Sequence, residues 1–225
     1  MALILRLGLA RQLSIIGPGV ASGIIKPSEK EALVGPEGLV GDLQGDRRFH
    51  GGPEKAIHHY PAEHYAAWRQ ELPALATQLE PGSFGENIST VGLLEHDICI
   101  GDQYQMGEAV VEVSQGRQPC ARLNWRFGLN GLARRVQESG RCGWYYRVLE
   151  PGSVSVGDPI TRIARPHGDW PLTRLLEILY RRRASDAELR ELLELPPLAE
   201  SWKTLFRRRL ETGNVEDMKG RLGED

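Results

Sequence analysis

Ala109-Val-Val-Glu-Val-Ser-Gln-Gly-Arg-Gln-Pro-Cys120 begins in one style and ends in another. Three valines within its first five residues are strand chemistry, and Gly116 and Pro119 then break the ladder into a polar loop. The neighbouring sequence repeats this grammar. Asp97-Ile-Cys-Ile-Gly-Asp102 and Val154-Ser-Val-Gly-Asp158 each set a short apolar run against a Gly-Asp turn, and Glu150-Pro-Gly-Ser153 reads as a type I or II turn between strands. Leu3, Leu5, Leu7 and Leu9 fall on one side of a period-two pattern, which predicts a first strand. The Gly-Asp pairs are irregularly spaced, so they are shared turn chemistry and no solenoid repeat. Short strands with 26 Gly and 14 Pro among 225 residues predict a mainly β chain, a barrel or sandwich. One helix interrupts it near Ala62 to Leu72, with Pro61 suited to the first helical turn.

From Pro166 the period changes. Leu172, Leu175, Leu176 and Leu179 lie at i, i+3, i+4 and i+7. Ser185-Asp-Ala-Glu188 reads as a capping box that opens a second helix around Leu189, Leu192 and Leu193, and Pro196-Pro197 ends it. Ser201 is placed to cap a third helix with Trp202, Leu205, Phe206 and Leu210 on its apolar stripe and Gly213 as its stop. The expected organisation is therefore a β-barrel over residues 1–165 and a small three-helix domain over 166–225, joined at Arg165-Pro-His-Gly168. A unit of about 50 residues is marginal alone, so the helices should dock on the barrel.

Lys and Arg number 28 against 30 Asp and Glu, a net charge of −2, which argues against direct nucleic-acid binding. The triplets Arg181-Arg-Arg183 and Arg207-Arg-Arg209 do not change this, because three successive helical residues fan across about 200° and form no single stripe. No run of 18 apolar residues exists for a membrane span. Cys99, Cys120 and Cys142 form no CxxC pair, which fits neither a disulfide framework nor a zinc knuckle and makes a reducing cytoplasm the natural setting.

Three Gly-rich polar stretches carry the chemistry: Gly41 to Tyr60, Gly82 to Thr90, and Val113 to Asn124. Glycines bring backbone N–H groups close to a ligand, and the Lys and Arg among them complement an anion. Cys120 stands between Arg117 and Arg122, where cations favour the reactive thiolate; the alternative is a small buried hydrophobe. Cys99, between Ile98 and Ile100, reads as a strand residue, and Cys142 as structural. His50, before Gly51-Gly52, is the best histidine candidate, as hydrogen-bond donor or proton source; His64 and His96 read as surface or capping residues. Asp42, Asp46 and Glu86 could serve acid–base chemistry; equally, Asp42 and Asp46 could cap tight turns, the favoured role for Asp42.

Gly41-Asp-Leu-Gln-Gly-Asp46, His50-Gly-Gly-Pro-Glu-Lys-Ala56, Phe84-Gly-Glu-Asn-Ile-Ser89, Gln115-Gly-Arg-Gln-Pro-Cys120 and Gly143-Trp-Tyr-Tyr-Arg-Val-Leu149 resemble, in order and spacing, the signature blocks of MOSC domains, the module at the C-terminus of molybdenum cofactor sulfurases. The helical tail resembles the α domain of the bacterial YiiM-like branch. The resemblance implies a MOSC-type β-barrel, molybdenum cofactor (molybdopterin) as the bound group, and Cys120 as metal ligand or sulfur carrier. It further implies reduction of N-hydroxylated base analogues, with a reduced metal centre accepting the N–OH oxygen. On that view Lys55, Arg117 and the Gly51-Gly52 turn hold the cofactor phosphate, Asn87, Ser89, Gln115 and Asn124 meet pterin edges, and His50 or Asp46 protonates the departing water. The chain has no dinucleotide fingerprint, so a separate electron-donating reductase is the expected partner, with a homodimer as a candidate assembly. Two other readings remain open: a carrier of sulfur or cofactor without turnover, and a metal-free thiol enzyme pairing Cys120 with a His base.

Overall fold

The computed structural model describes residues 2–181 and 184–224, so Arg182 and Arg183 of the first arginine triplet lie outside the described residues. Seven strands form a closed barrel: β1 (Ala2–Gly8), β2 (Ile57–Pro61), β3 (Ile88–Val91), β4 (Gln103–Met106), β5 (Ala109–Gly116), β6 (Trp144–Glu150) and β7 (Pro159–Ala164). Their order round the barrel is β7-β4-β5-β6-β2-β3-β1, and β1 closes it by pairing Ala2 with Ile160 and Leu3 with Pro159 of β7. All the pairings are antiparallel except β2 with β3. A β-barrel carrying helices is thus the architecture, as the strand grammar predicts.

The first strand corrects a detail. Leu3 and Leu5 are about half exposed, whereas Ile4, Leu7 and Leu9 are buried. The pairing of β1 with β3 shifts register between Ile4 and Arg6. A bulge at that point moves the following side chains to the opposite face, so one leucine series serves two faces.

Eight helices accompany the barrel among the described residues: α1 (Arg47–His50), α2 (Glu63–Glu71), α3 (Arg122–Phe127), α4 (Leu132–Ser139), α5 (Leu172–Tyr180), α6 (Asp186–Leu193), α7 (Glu200–Thr212) and α8 (Lys219–Leu222). The helix expected at Ala62–Leu72 is α2, but Pro61 ends strand β2 rather than entering the helix. Both halves of the Ser185–Glu188 capping box are made. Ser201 lies inside α7, which starts at Glu200, and its hydroxyl meets Gln115 instead of capping. Cys99 makes one isolated bridge to Pro171 and belongs to no strand.

Barrel and helices share one hydrophobic core. Strand β5 is buried along nearly its whole length because the helices cover its outer face: Leu172, Leu176 and Trp202 crowd Gly116, and the Ala199 N–H donates to the Ser114 carbonyl at 3.0 Å. Two of the three arginines of α7 are paired within the chain. Arg209 is buried, pairs with Glu216 and donates to the Ile178 and Leu179 carbonyls, two acceptors that the end of α5 would otherwise leave open. Arg207 pairs with Glu200 at 2.5 Å.

Candidate functional site

The three Gly-rich stretches meet at one cleft of about 650 Å³, counting its open mouth. Its walls include Lys26, Asp42, His50, Lys55, His58, Asn87, Arg117, Cys120, Arg122 and Tyr145. Four Lys or Arg against a single acidic residue make it strongly cationic in a chain of net charge −2. The loops approach this closely because of glycine. A Cβ on Gly23 would stand 1.9 Å from the Leu43 carbonyl oxygen, and Gly85 holds φ +81° against Ile24.

Cys120 is partly exposed at this cleft, between the end of β5 and the start of α3. His50 Nε2 lies 3.5 Å from its Sγ. Arg122 Nη1 is 3.0 Å from the same ring nitrogen and 3.2 Å from Nδ1. A guanidinium only donates, so it serves whichever ring nitrogen carries the lone pair. Burial above all, then the charges of Arg122, Lys55 and Arg117, lowers the His50 pKa to about 4. The imidazole is therefore neutral near pH 7, with one ring nitrogen donating and the other accepting a hydrogen bond, and is no source of an acidic proton.

Asp46 caps α1, its carboxylate accepting from Arg48 N at 3.1 Å and from the Arg48 guanidinium at 3.0 and 2.9 Å. That pairing depresses its pKa to about 2, so it too holds no proton near neutrality, and it is not among the cleft-lining residues. Gly51 and Gly52 do not line the cleft either. They turn the chain so that Lys55 enters it, with the Lys55 N–H on the Gly52 carbonyl and Nζ on the Phe49 carbonyl at 2.8 Å. Burial lowers the Lys55 pKa.

Arg117 is 6% exposed, and no carboxylate pairs with it among the described residues. One of its amino groups donates to the Phe84 carbonyl at 3.2 Å; the other, Nη1, is buried without a partner, as is His58 Nε2. A buried cation with an unused donor on a cleft wall is a built receptor for anionic or acceptor-rich groups. Asn87 lines the same cleft, but its polar atoms are engaged: Nδ2 on Asp42 Oδ2 and the Gly8 carbonyl, Oδ1 on the His58 N–H.

Three other expected ligands point elsewhere. Ser89 donates to Glu86, Gln115 accepts from Ser201, and Asn124 joins the Leu222 carbonyl to the Ala133 N–H, all away from the cleft. Glu86 is fully buried and gathers Tyr65, Gly82 and Ser89, which makes it a loop anchor. His64 is buried against Glu95 at 2.8 Å rather than at the surface, whereas His96 is exposed. Cys142 is buried, its pKa raised by desolvation to about 12.

Lys26 carried no sequence signal and is nonetheless central. Its Nζ sits 2.5 and 2.6 Å from the two Asp42 oxygens, both side chains almost wholly buried. Asp42 also accepts from Ala10 N and Asn87, so it is a hub for three loops rather than a turn cap alone. Burial lowers the Lys26 pKa and Asp42 opposes that shift.

No cluster of three or more His, Cys, Asp or Glu side chains stands ready for a metal among the described residues. A metal bound at Cys120 would thus bring its other ligands with it. A dithiolene-held molybdenum does so, and a thiolate suits its softness. The donor set of Cys120, the unused Arg117 Nη1 and the cationic wall fits such a group.

A closed barrel that presents one thiol into a cationic cleft, with helices packed against it, is a barrel of the MOSC type. The sequence model of the MOSC domain matches residues 46–161, and that of the YiiM-like, 3-alpha helix domain matches 170–213. The chain belongs to the MOSC-domain family, in its YiiM-like branch. It is 37% identical over 192 residues to Protein YiiM of Escherichia coli strain K12, covering 85% of each chain. The crystal structure of YiiM from Escherichia coli aligns with a TM-score of 0.84 at 31% identity, over 99% of this chain and 98% of the other. A protein of Gibberella moniliformis named Reductase is 34% identical over 183 residues, which are 80% of this chain and 32% of that one. No helix among the described residues is long and apolar enough to cross a membrane.

Proposed function

We propose that this protein binds molybdenum cofactor and reduces N-hydroxylated compounds at a molybdenum held by Cys120. The observation that supports this most directly is Cys120 opening into a cleft whose buried Arg117 keeps an unpaired donor. The name of the Gibberella moniliformis relative, Reductase, agrees with a reductive role. When bound, the molybdenum supplies the two-electron redox change. The protein's own residues do the rest. Arg117 and Lys55 hold the anionic part of the cofactor, and neutral His50 orients the sulfur by hydrogen bonding. Conversion of N–OH to N–H and water consumes two electrons and two protons. The electrons come from a separate reductase. Neither His50, neutral near pH 7, nor Asp46, ionised there, suits the acid role, so the two protons come from solvent water in the open cleft.

Elemental analysis and turnover of a hydroxylamino purine, with a reductase supplied, test this in protein from a host that makes the cofactor. Wild type should carry molybdenum and turn over; Cys120→Ala should lose both. Full retention by the variant overturns the reading, as does turnover of the purified chain with NADPH alone for the electron route.

The His50–Cys120 distance favours a second reading, a thiol site without metal in which His50 acts as base. Activity in metal-free wild type that Cys120→Ala abolishes would select it. A stable persulfide on Cys120 by intact mass after a desulfurase, without turnover, would select a carrier.

A further inference from the structure

The last residues of the chain return to the loop that carries the thiol. The Arg221 carbonyl accepts from Ala121 N at 2.8 Å, one residue after Cys120. The Arg221 guanidinium donates to the Pro119 carbonyl, one residue before it, and to Gln137 Oε1 of α4 at 2.5 Å. Leu222 is fully buried, and its carbonyl takes Asn124 Nδ2 at 2.8 Å. Gly223 lies so close to Ala121 that a Cβ there would stand 2.8 Å away. Helices α3 and α4 meet at the same point, since Asn124 Oδ1 accepts from Ala133 N. The matched helical family spans 170–213 and stops short of all of this.

We infer that residues 218–224 are a strap that positions Cys120 against His50, with Arg221 as its chief positioning residue, because it bonds the peptide units on both sides of the cysteine. Pro119 and Ala121 bracket Cys120, so holding one carbonyl and one N–H fixes the path of the backbone that aims Sγ. The two bonds come from one residue, and Leu222 anchors that residue in the core. This inference rests on Cys120 being the reacting sulfur and is independent of whether molybdenum binds it.

The test is carried out on the full chain. Iodoacetamide labelling of each cysteine, resolved by mass spectrometry across pH 6–9, reports the surroundings of Cys120, while buried Cys99 and Cys142 report general opening. In Arg221→Ala the Cys120 labelling rate should rise at least threefold and its pH dependence should change, with Cys99 and Cys142 still protected. Arg221→Lys, which can reach one acceptor but not both, should fall between Ala and wild type. Unchanged Cys120 kinetics in Arg221→Ala overturn the inference. Labelling of Cys142 in parallel with Cys120 overturns it too, since Arg221 would then serve stability alone. The readout needs no turnover, so failure of the proposed activity and failure of the strap are separate results.

Discussion

His50 and Cys120, 70 positions apart in sequence, bring Nε2 to 3.5 Å from Sγ. Neither residue reaches the other by local structure. His50 closes the short helix capped by Asp46, and Cys120 lies in a loop held from the opposite side by the chain's last turn. Between them Arg122 and Lys55 supply positive charge, and the imidazole is neutral because those charges and burial disfavour its cation. The pair at neutral pH is therefore a neutral ring beside a sulfur in a cationic cleft.

One consequence concerns pH. With a His50 pKa of about 4, imidazole titration should leave no inflection between pH 5.5 and 7.5 in Cys120 alkylation or in turnover. His50→Gln should change rates without removing an inflection in that range. A wild-type inflection near 6.5 that disappears in His50→Gln would contradict the neutral-ring assignment.

Arg117 should matter to ligand binding more than to folding. A charged hydrogen bond contributes about 1.5–3 kcal/mol, so Arg117→Met should weaken capture of a phosphate-bearing ligand by roughly 10–100-fold. Molybdenum content and equilibrium dialysis with pyrophosphate measure this. The melting temperature should change less than the ligand affinity, because the side chain gives up its bond to the Phe84 carbonyl and a contact with Tyr145 but no carboxylate partner.

Lys26 and Asp42 should behave oppositely. Breaking a buried pair leaves a bare charge at a cost of about 3–5 kcal/mol. Lys26→Met and Asp42→Leu should each lower the urea midpoint sharply, and the double variant should be less damaged than the sum of the two. Additive losses would mean that the two side chains are not coupled as their 2.5 Å contact requires.

Acid should destabilise the fold through its buried histidines. His59 accepts and donates between Tyr146 and Thr90, and burial lowers its pKa to about 3, as it lowers His50 to about 4, from the ordinary 6.5. Below pH 6.5 the unfolded rings take up protons while the folded ones resist, so the unfolded state binds more protons in that window. Stability then falls with pH from about 6.5 to 4, by up to about 1.4 kcal/mol per pH unit for each such ring. Thermal melts from pH 7.5 to 4.5 check this, and His59→Gln should flatten the slope.

The helices after Cys120 show where sequence reading stopped. Leu123 with Phe127 and Leu132 with Val136 are buried i, i+4 pairs, and Gly128 and Gly140 end the two helices at positive φ. Those signals were present in the letters, but each run was too short to stand out from turn-rich sequence. Ser89, Gln115 and Asn124, expected at pterin edges, bond to neighbouring protein groups for another reason. An amide or hydroxyl in a Gly-rich block is equally suited to a ligand and to a neighbouring loop, and only packing shows which one it meets.

Alternation, turn chemistry and helical period were enough to determine a mainly β chain, barrel or sandwich, with an appended helical segment, because those signals act over a few residues and depend on local backbone geometry; the resemblance of the signature blocks selected the barrel. The signature blocks likewise marked Cys120, His50, Lys55 and Arg117 as neighbours of one cleft. Tertiary structure alone decided which polar groups face that cleft, that Lys26 and Asp42 form its buried ion pair, and that Arg221 grips the cysteine loop. Such contacts join residues up to about a hundred positions apart, and their energies come from burial and mutual satisfaction of polar groups, which have no local signature.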